Sequence, residues 1–138
     1  MMQTPELDET ALDVAEQAIG DGPVVMINLL RFHATPDYPA SFGDAKPDSL
    51  SGYYEGYVGG FRETCEAVGV VPELLHAGPR VHSLLAGPDD AWDEIAVVRY
   101  DSFADLRKIL ESETYAQRAK PHRFAVVADW RFIATKGR

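Results

Sequence analysis

Two strand–helix–strand units follow one another along this chain, and few folds accept that order. The first strand is VVMINLLRFH, residues 24–33, built from β-branched and large apolar residues. A helix follows from about Leu50 to Val68, where Tyr54, Tyr57, Val58, Phe61, Cys65 and Val68 recur at intervals of three and four. PELLHAGPRVHSLLAG, from residue 72, reads as a strand interrupted by Gly78-Pro79, which implies an edge position or a bulge. GPDDAW turns the chain into WDEIAVVRY, a second strong strand. Ser102 and Asp105 make a capping-box-like start to another helix, with Phe103, Leu106, Ile109 and Leu110 on its face. Ser112 opens a further helical stretch through Tyr115 that ends near Pro121, and DWRFIAT is the last strand.

Strand, helix, strand, strand, helix, strand is the split βαβ unit used twice. The expected fold is therefore α+β: a ferredoxin-like βαββαβ with an antiparallel sheet. At 138 residues the chain, 1–138, is the size of one domain. Residues 1–22 form an N-terminal helical extension in this reading. Thr4 caps it, Pro5 suits its first position, Leu7, Ala11, Val14, Ala15 and Ala18 share a face, and Gly20 stops it. Residues 33–50 carry three prolines and no period, a long Pro-rich loop of the kind that serves as a lid, a binding loop or a disordered segment.

Four glycines on the long helix are unexpected. Gly52, Gly56, Gly59 and Gly60 cluster away from its apolar stripe, and each costs about 1 kcal/mol against alanine. They imply that another backbone comes close, the N-terminal helix being the candidate. The alternative is a weak helix with a bare exposed face. Cys65 lies on the apolar stripe, which points to a buried, inert thiol.

Charge and composition narrow the partners. Twenty-two acidic residues against 13 basic give a net charge of −9, which argues against nucleic acid and against an anionic membrane surface. A lone cysteine allows no intrachain disulfide. No apolar run approaches the roughly 18 residues of a membrane span. MMQTPELDET lacks the basic-then-apolar pattern of a signal peptide, so a cytoplasmic location is expected.

Asn28, the only asparagine, sits in the middle of the best strand. Strand side chains alternate, so Val25, Ile27 and Leu29 share one face, while Met26, Asn28 and Leu30 share the other. The uniformly apolar set is expected to meet the helices, together with Ile95 and Val97. Asn28 then stands on the open sheet face beside Glu94, Ala96, Val98 and Tyr100. An open face with Met26, Leu30, Phe32 and Val98 must be covered, and a second copy of the sheet is the economical cover. Two such faces would enclose a small-molecule pocket lined by Asn28. The competing reading is an internal amide satisfied by a neighbouring strand or a buried water. With the strand phase reversed, Asn28 would lie under the helices.

PVVMINLLRF, the Tyr-rich helix after it, WDEIAVVRYDSFADL and SETYAQRAKPHRF together resemble the proteins grouped as domain of unknown function 1330, over about residues 23–134. In that family the second half resembles a strand, a Ser-initiated helix and a Ser-x-x-Tyr segment followed by an arginine. Here these are Ser102, Ser112, Tyr115 and Arg123. The resemblance implies the dimeric α+β barrel superfamily, which includes small monooxygenases, isomerases and haem-binding members. It carries over no catalytic residue. The N-terminal helix and the 33–50 loop depart from the compact family pattern.

The common catalytic signatures are missing: no Gly-x-Ser-x-Gly elbow, phosphate-cradling loop, dinucleotide fingerprint or His-Glu-x-x-His pair. His76 and His82 would lie roughly 20 Å apart on one straight strand, too far to share a metal, and His33 and His122 are the other two histidines. No metal and no cofactor is expected. Haem, which needs a single axial histidine, stays open, although no attachment motif supports it.

Glu94 and His76 are the candidate bases. Glu94 would gain basicity if buried beside Tyr100, and is otherwise a solvated strand-end carboxylate. Arg31 and Arg99 could hold a carboxylate substrate, or pair with Asp93 or Asp101. Asn28, Tyr100 and Tyr57 complete the candidate ligand-binding set. Ser112, Tyr115 and Arg123 are read as fixing the chain between the last helix and strand. The expected function is a homodimer acting as a cofactor-independent enzyme, of oxygenase or isomerase type, on a small organic acid or aromatic. The alternative is a non-catalytic small-molecule binder or a purely structural dimer.

Overall fold

A computed structural model describes residues 7–138. The capping expected of Thr4 and Pro5 lies outside the described residues. The chain forms α1 (Glu9–Ile19), β1 (Val24–Phe32), a long helix α2 (49–68), β2 (Glu73–Pro79), β3 (Glu94–Tyr100), α3 (Phe103–Leu110), a final helix α4 (115–126) and β4 (Val127–Thr135). The sheet is antiparallel throughout, in the order β2-β3-β1-β4. This is the ferredoxin-like arrangement. β2 occupies an edge and its register slips between Leu74 and His76, so its Gly-Pro ending sits where no further strand pairs with it.

Local chemistry sets the helix ends. Asp8 accepts the Ala11 amide at 2.8 Å to start α1, and Gly20, at φ +73°, ends it. Asp48 caps α2 through the Ser51 amide, and Ser102 caps α3 through the Asp105 amide at 3.1 Å. The buried face of α1 is Leu12, with Ala15 and Ile19 packed beside it, while Val14 is 63% exposed. That corrects the expected Leu7–Ala11–Val14 face by part of a turn. Arg107 of α3 holds α1 in place through Asp13 at 2.7 Å and Glu16 at 3.1 Å.

The final helix does not stop near Pro121; it runs on to Val126 and passes directly into β4. A π turn, Tyr115–Ala119, precedes the proline, with the Lys120 amide bonded to the Tyr115 carbonyl five residues back. A proline ring clashes with the carbonyl four residues back in an ordinary helix, and a widened turn relieves that conflict. α2 contains a π turn as well, Gly52–Tyr57.

Three of the four glycines of α2 face α4, not the N-terminal helix. A β-carbon at Gly60 would strike the Arg118 carbonyl, one at Gly56 the His122 ring, and one at Gly52 Val126 and the Tyr38 hydroxyl. Residues 52, 56 and 60 thus run antiparallel to 126, 122 and 118, one helical turn per contact. Gly59 has nothing within 4 Å.

The phase of β1 reverses the expected one. Val24, Met26 and Leu30 are buried under the helices, and Asn28 shares their side. Val25, Ile27 and Leu29 lie on the open face, opposite Arg99, Val97 and Ile95 of β3, with Ile133 of β4 beside Ile27. No described helix of the chain is long and apolar enough to cross a membrane.

Candidate functional site: a cavity between the sheet and the long helix

A cavity of about 710 Å³ separates α2 from the sheet. It opens on the helix-covered side, which corrects the expectation of a pocket on the open face. α2 supplies Tyr53, Tyr54, Tyr57, Phe61 and Cys65, the sheet supplies Asn28, Val98, Trp130 and Phe132, and Tyr100 and Leu106 close one flank. Arg62 and Glu66, both exposed, stand among its lining residues. The π turn groups the aromatics here. Tyr53 and Tyr57 stack with centroids 5.7 Å apart, and Trp130 stacks on Phe132 at 4.6 Å.

Asn28 both lines this cavity and is bonded to the strands on either side. Its Nδ2 donates to the Ala96 carbonyl at 3.2 Å, and its Oδ1 accepts the Trp130 indole N–H at 3.0 Å. Because an indole nitrogen can only donate, the amide's orientation is set. A polar group inside an apolar strand is tolerated because both its ends are engaged.

A second polar pair joins the helix to the sheet. The Tyr54 hydroxyl donates to the buried Glu94 carboxylate at 2.5 Å. Burial, and then this bond, push the Tyr54 phenol up to about 12. Tyr100 is buried in the cavity flank and its phenol is raised by desolvation.

A third network lies behind Tyr57. Arg123, fully buried, donates from one terminal nitrogen to the Tyr115 hydroxyl at 2.9 Å, and that hydroxyl lies 3.0 Å from the Tyr57 hydroxyl. The guanidinium also covers the Trp130 ring at 5.3 Å. Ser112 accepts the Thr114 amide at 3.2 Å at the head of the last helix. Cys65 is buried in the cavity wall, and burial pushes its thiol up to about 11.

The remaining candidates fall elsewhere. His76 pairs with Val97 and stands on the open face of the edge strand, exposed and away from the cavity. Arg31 pins the 89–93 segment, donating to the Asp89 carbonyl at 2.6 Å and the Ala91 carbonyl at 3.0 Å, pairing with Asp129 and lying over Trp92. Arg99 pairs with Asp101 at 2.8 Å. Neither arginine lines the cavity. Among the described residues no group of three or more His, Cys, Asp or Glu is placed to hold a metal ion.

The 33–50 loop is folded against α4 and none of its residues lines the cavity. The His33 amide donates to the Val126 carbonyl and the Asp37 amide to the Ala125 carbonyl, both at 2.8 Å. Tyr38 meets Nδ1 of the buried His122 at 2.7 Å, and Asp44 meets Nε2 at 3.3 Å. Burial holds the imidazole below its usual range, with Asp44 acting in the opposite direction. Trp130 and Tyr54 escaped the sequence reading as site residues. In the sequence Trp130 is legible only as part of the last strand and Tyr54 only as part of the apolar stripe of the long helix. The helical stripe shared by Tyr54 and Tyr57 was the signal available.

No family model matches this chain, and no curated protein matches it. The solved structures similar to it include two of RPA0582. The crystal structure of methylated RPA0582 protein has a TM-score of 0.82 at 22% identity, covering 100% of this chain and 97% of that one. RPA0582 from Rhodopseudomonas palustris, described as a protein of unknown function and a structural genomics target, has a TM-score of 0.79 at 22% identity, covering 96% of this chain and 95% of that one. These likenesses establish the fold over the whole described chain.

Proposed function

We propose that this protein is a homodimer that binds a small, flat, largely apolar organic molecule between its sheet and α2. The observation that carries the reading is the cavity: about 710 Å³, walled by aromatic rings, with a few polar groups reaching it. Sites for small organic ligands have this size and make-up. Asn28 and Tyr57 orient the ligand, and Glu94, reached through Tyr54, serves as base if the molecule is turned over. The reaction class that suits such a site is cofactor-independent, of oxygenase or isomerase type, on an aromatic or a small organic acid. A binder without turnover uses the same contacts.

Dimerisation draws its support from the open sheet face. Val25, Ile27, Leu29, Ile95, Val97 and Ile133 lie there, the last 47% exposed, and no described element of the chain covers them. A contiguous apolar patch of this kind marks an interaction surface, and a second copy of the same face is self-complementary. A divergent relationship to the proteins grouped as domain of unknown function 1330, and a cytoplasmic location, belong to the same reading.

Native mass spectrometry of freshly purified protein tests both halves together. A dimer carrying extra mass is the expected result. A monomer overturns the assembly, and a protein that gains no mass with any panel of bicyclic aromatics overturns the ligand. Turnover is then tested with Glu94→Gln, which removes the base and is expected to abolish product formation while leaving binding in place.

A further inference from the structure

Hydrogen-bond direction in the Tyr57 network gives the cavity a defined chemical polarity. Arg123 can only donate, so the Tyr115 oxygen accepts from it. Tyr115 is fully buried, and among the described residues the one acceptor in reach of its own proton is the Tyr57 oxygen. If Tyr57 donated instead, the Tyr115 proton would be stranded in the interior, at a cost of about 1–3 kcal/mol. Tyr115 therefore donates to Tyr57. The Tyr57 proton is left with no acceptor among the described residues, and Tyr57 lines the cavity. Asn28 adds a second donor: one Nδ2 hydrogen goes to Ala96, and the other has no acceptor among the described residues.

We infer that the Tyr57 hydroxyl, polarised through Tyr115 by the buried Arg123 guanidinium, forms with Asn28 an oxyanion site for an aromatic ligand bearing an ionisable ring hydroxyl, held as its phenolate or enolate. The inference rests on the cavity being a ligand site, as proposed above. A chain of hydrogen bonds that starts at a cation strengthens its last donor toward an anion. On binding, the ligand's hydroxyl proton leaves to bulk water and its oxygen accepts from Tyr57 and Asn28. Among the described residues Glu94 is a buried acid on the same sheet side, opposite Leu30, and its carboxylate is already engaged by Tyr54. Arg62 and Glu66 are the charged residues among the lining. Tyr57 and Asn28 touch the ligand; Tyr115 and Arg123 are positioning residues.

The test uses two probes on the purified full-length protein: umbelliferone, a bicyclic phenol whose ionised form has its own absorbance band, and coumarin, the same ring without the hydroxyl. Umbelliferone is expected to bind about tenfold more tightly as phenolate than as phenol, so its ionisation midpoint falls by about one pH unit in the complex. Tyr57→Phe is expected to return that midpoint most of the way to its free value, Asn28 supplying the remainder, while coumarin still binds. Tyr115→Phe, which keeps the Tyr57 hydroxyl but cuts the relay, is expected to fall between the two. Umbelliferone that binds with an unshifted midpoint, or a shift that survives Tyr57→Phe in full in a variant with native circular dichroism, overturns the oxyanion site and leaves the cavity reading standing. Failure of both probes to bind at millimolar concentration overturns the cavity reading itself.

Discussion

Gly60 of the long helix rests directly against the backbone carbonyl of Arg118, with no room for a β-carbon between them. Gly59, one residue earlier, faces open space. Two neighbouring glycines therefore carry opposite expectations. Gly60→Ala forces α2 and α4 apart and is expected to destabilise the fold by about 1–3 kcal/mol. Gly59→Ala removes a helix-weakening residue at no steric cost and is expected to stabilise by about 0.5–1 kcal/mol. Urea denaturation of the two variants beside the parent decides it, and a loss at both positions would contradict the packing described.

Asn28→Ala strands the Trp130 indole N–H and removes the side-chain bond to the Ala96 carbonyl. The expected loss is about 1–3 kcal/mol. Trp130→Phe combined with Asn28→Ala should cost less than the sum of the two single changes, because the shared bond can be lost only once. A double-mutant cycle in chemical denaturation reads the coupling directly.

The His122 imidazole titrates below its unfolded value of 6.5 because it is buried. As pH falls through about 6.5 the unfolded chain takes up the proton first, so stability declines from there and levels off once the folded imidazole is protonated too. His122→Gln is expected to flatten that part of the profile. Thermal midpoints measured between pH 7 and pH 4.5 for both proteins supply the comparison, and parallel profiles would remove His122 as the cause.

A charge placed on the open sheet face should separate the subunits of the proposed dimer. Ile27→Lys puts an ammonium at the middle of the apolar patch, between Val97 and Ile133. The fold is expected to survive, because the side chain leaves the core-facing side of β1 untouched. Sedimentation velocity should show a monomer in place of a dimer, with the circular dichroism spectrum unchanged.

Much of the fold could be read from residue pattern, and the failures have physical causes. The Cys65 stripe, the Ser102 cap and the edge placement of the Gly-Pro strand all follow from local rules that tertiary packing did not override. The phase of β1 could not be read this way. Its two alternating sets are Val25, Ile27, Leu29 and Met26, Asn28, Leu30, nearly equal in apolar content, and one asparagine tipped the balance toward the wrong face. What put Asn28 inside was an indole on a strand about a hundred residues away, and single-strand periodicity contains no trace of it. The continuation of the last helix through Pro121 was hidden for a different reason. Proline signals a stop unless the preceding turn widens, and the widening depends on packing against α2. Tyr57 was legible as a cavity candidate; its partner Arg123 looked like a chain-fixing residue, and its charge in the interior emerges only from the fold.

The π turn at Gly52–Tyr57 fits one extra residue into α2. Each residue advances a helix by about 100°. Deleting one residue between 52 and 57 would restore ordinary α-helical winding, a gain in local regularity. Because each residue of a π turn advances by less than that, the helix segments on either side of the deletion would keep nearly the same rotation relative to each other, and Gly60 could still face Arg118 while Gly52 faced Val126. What a shorter, more regular helix would lose is the extra place itself, since the widened turn holds two seam glycines, Gly52 and Gly56, together with three cavity tyrosines, Tyr53, Tyr54 and Tyr57.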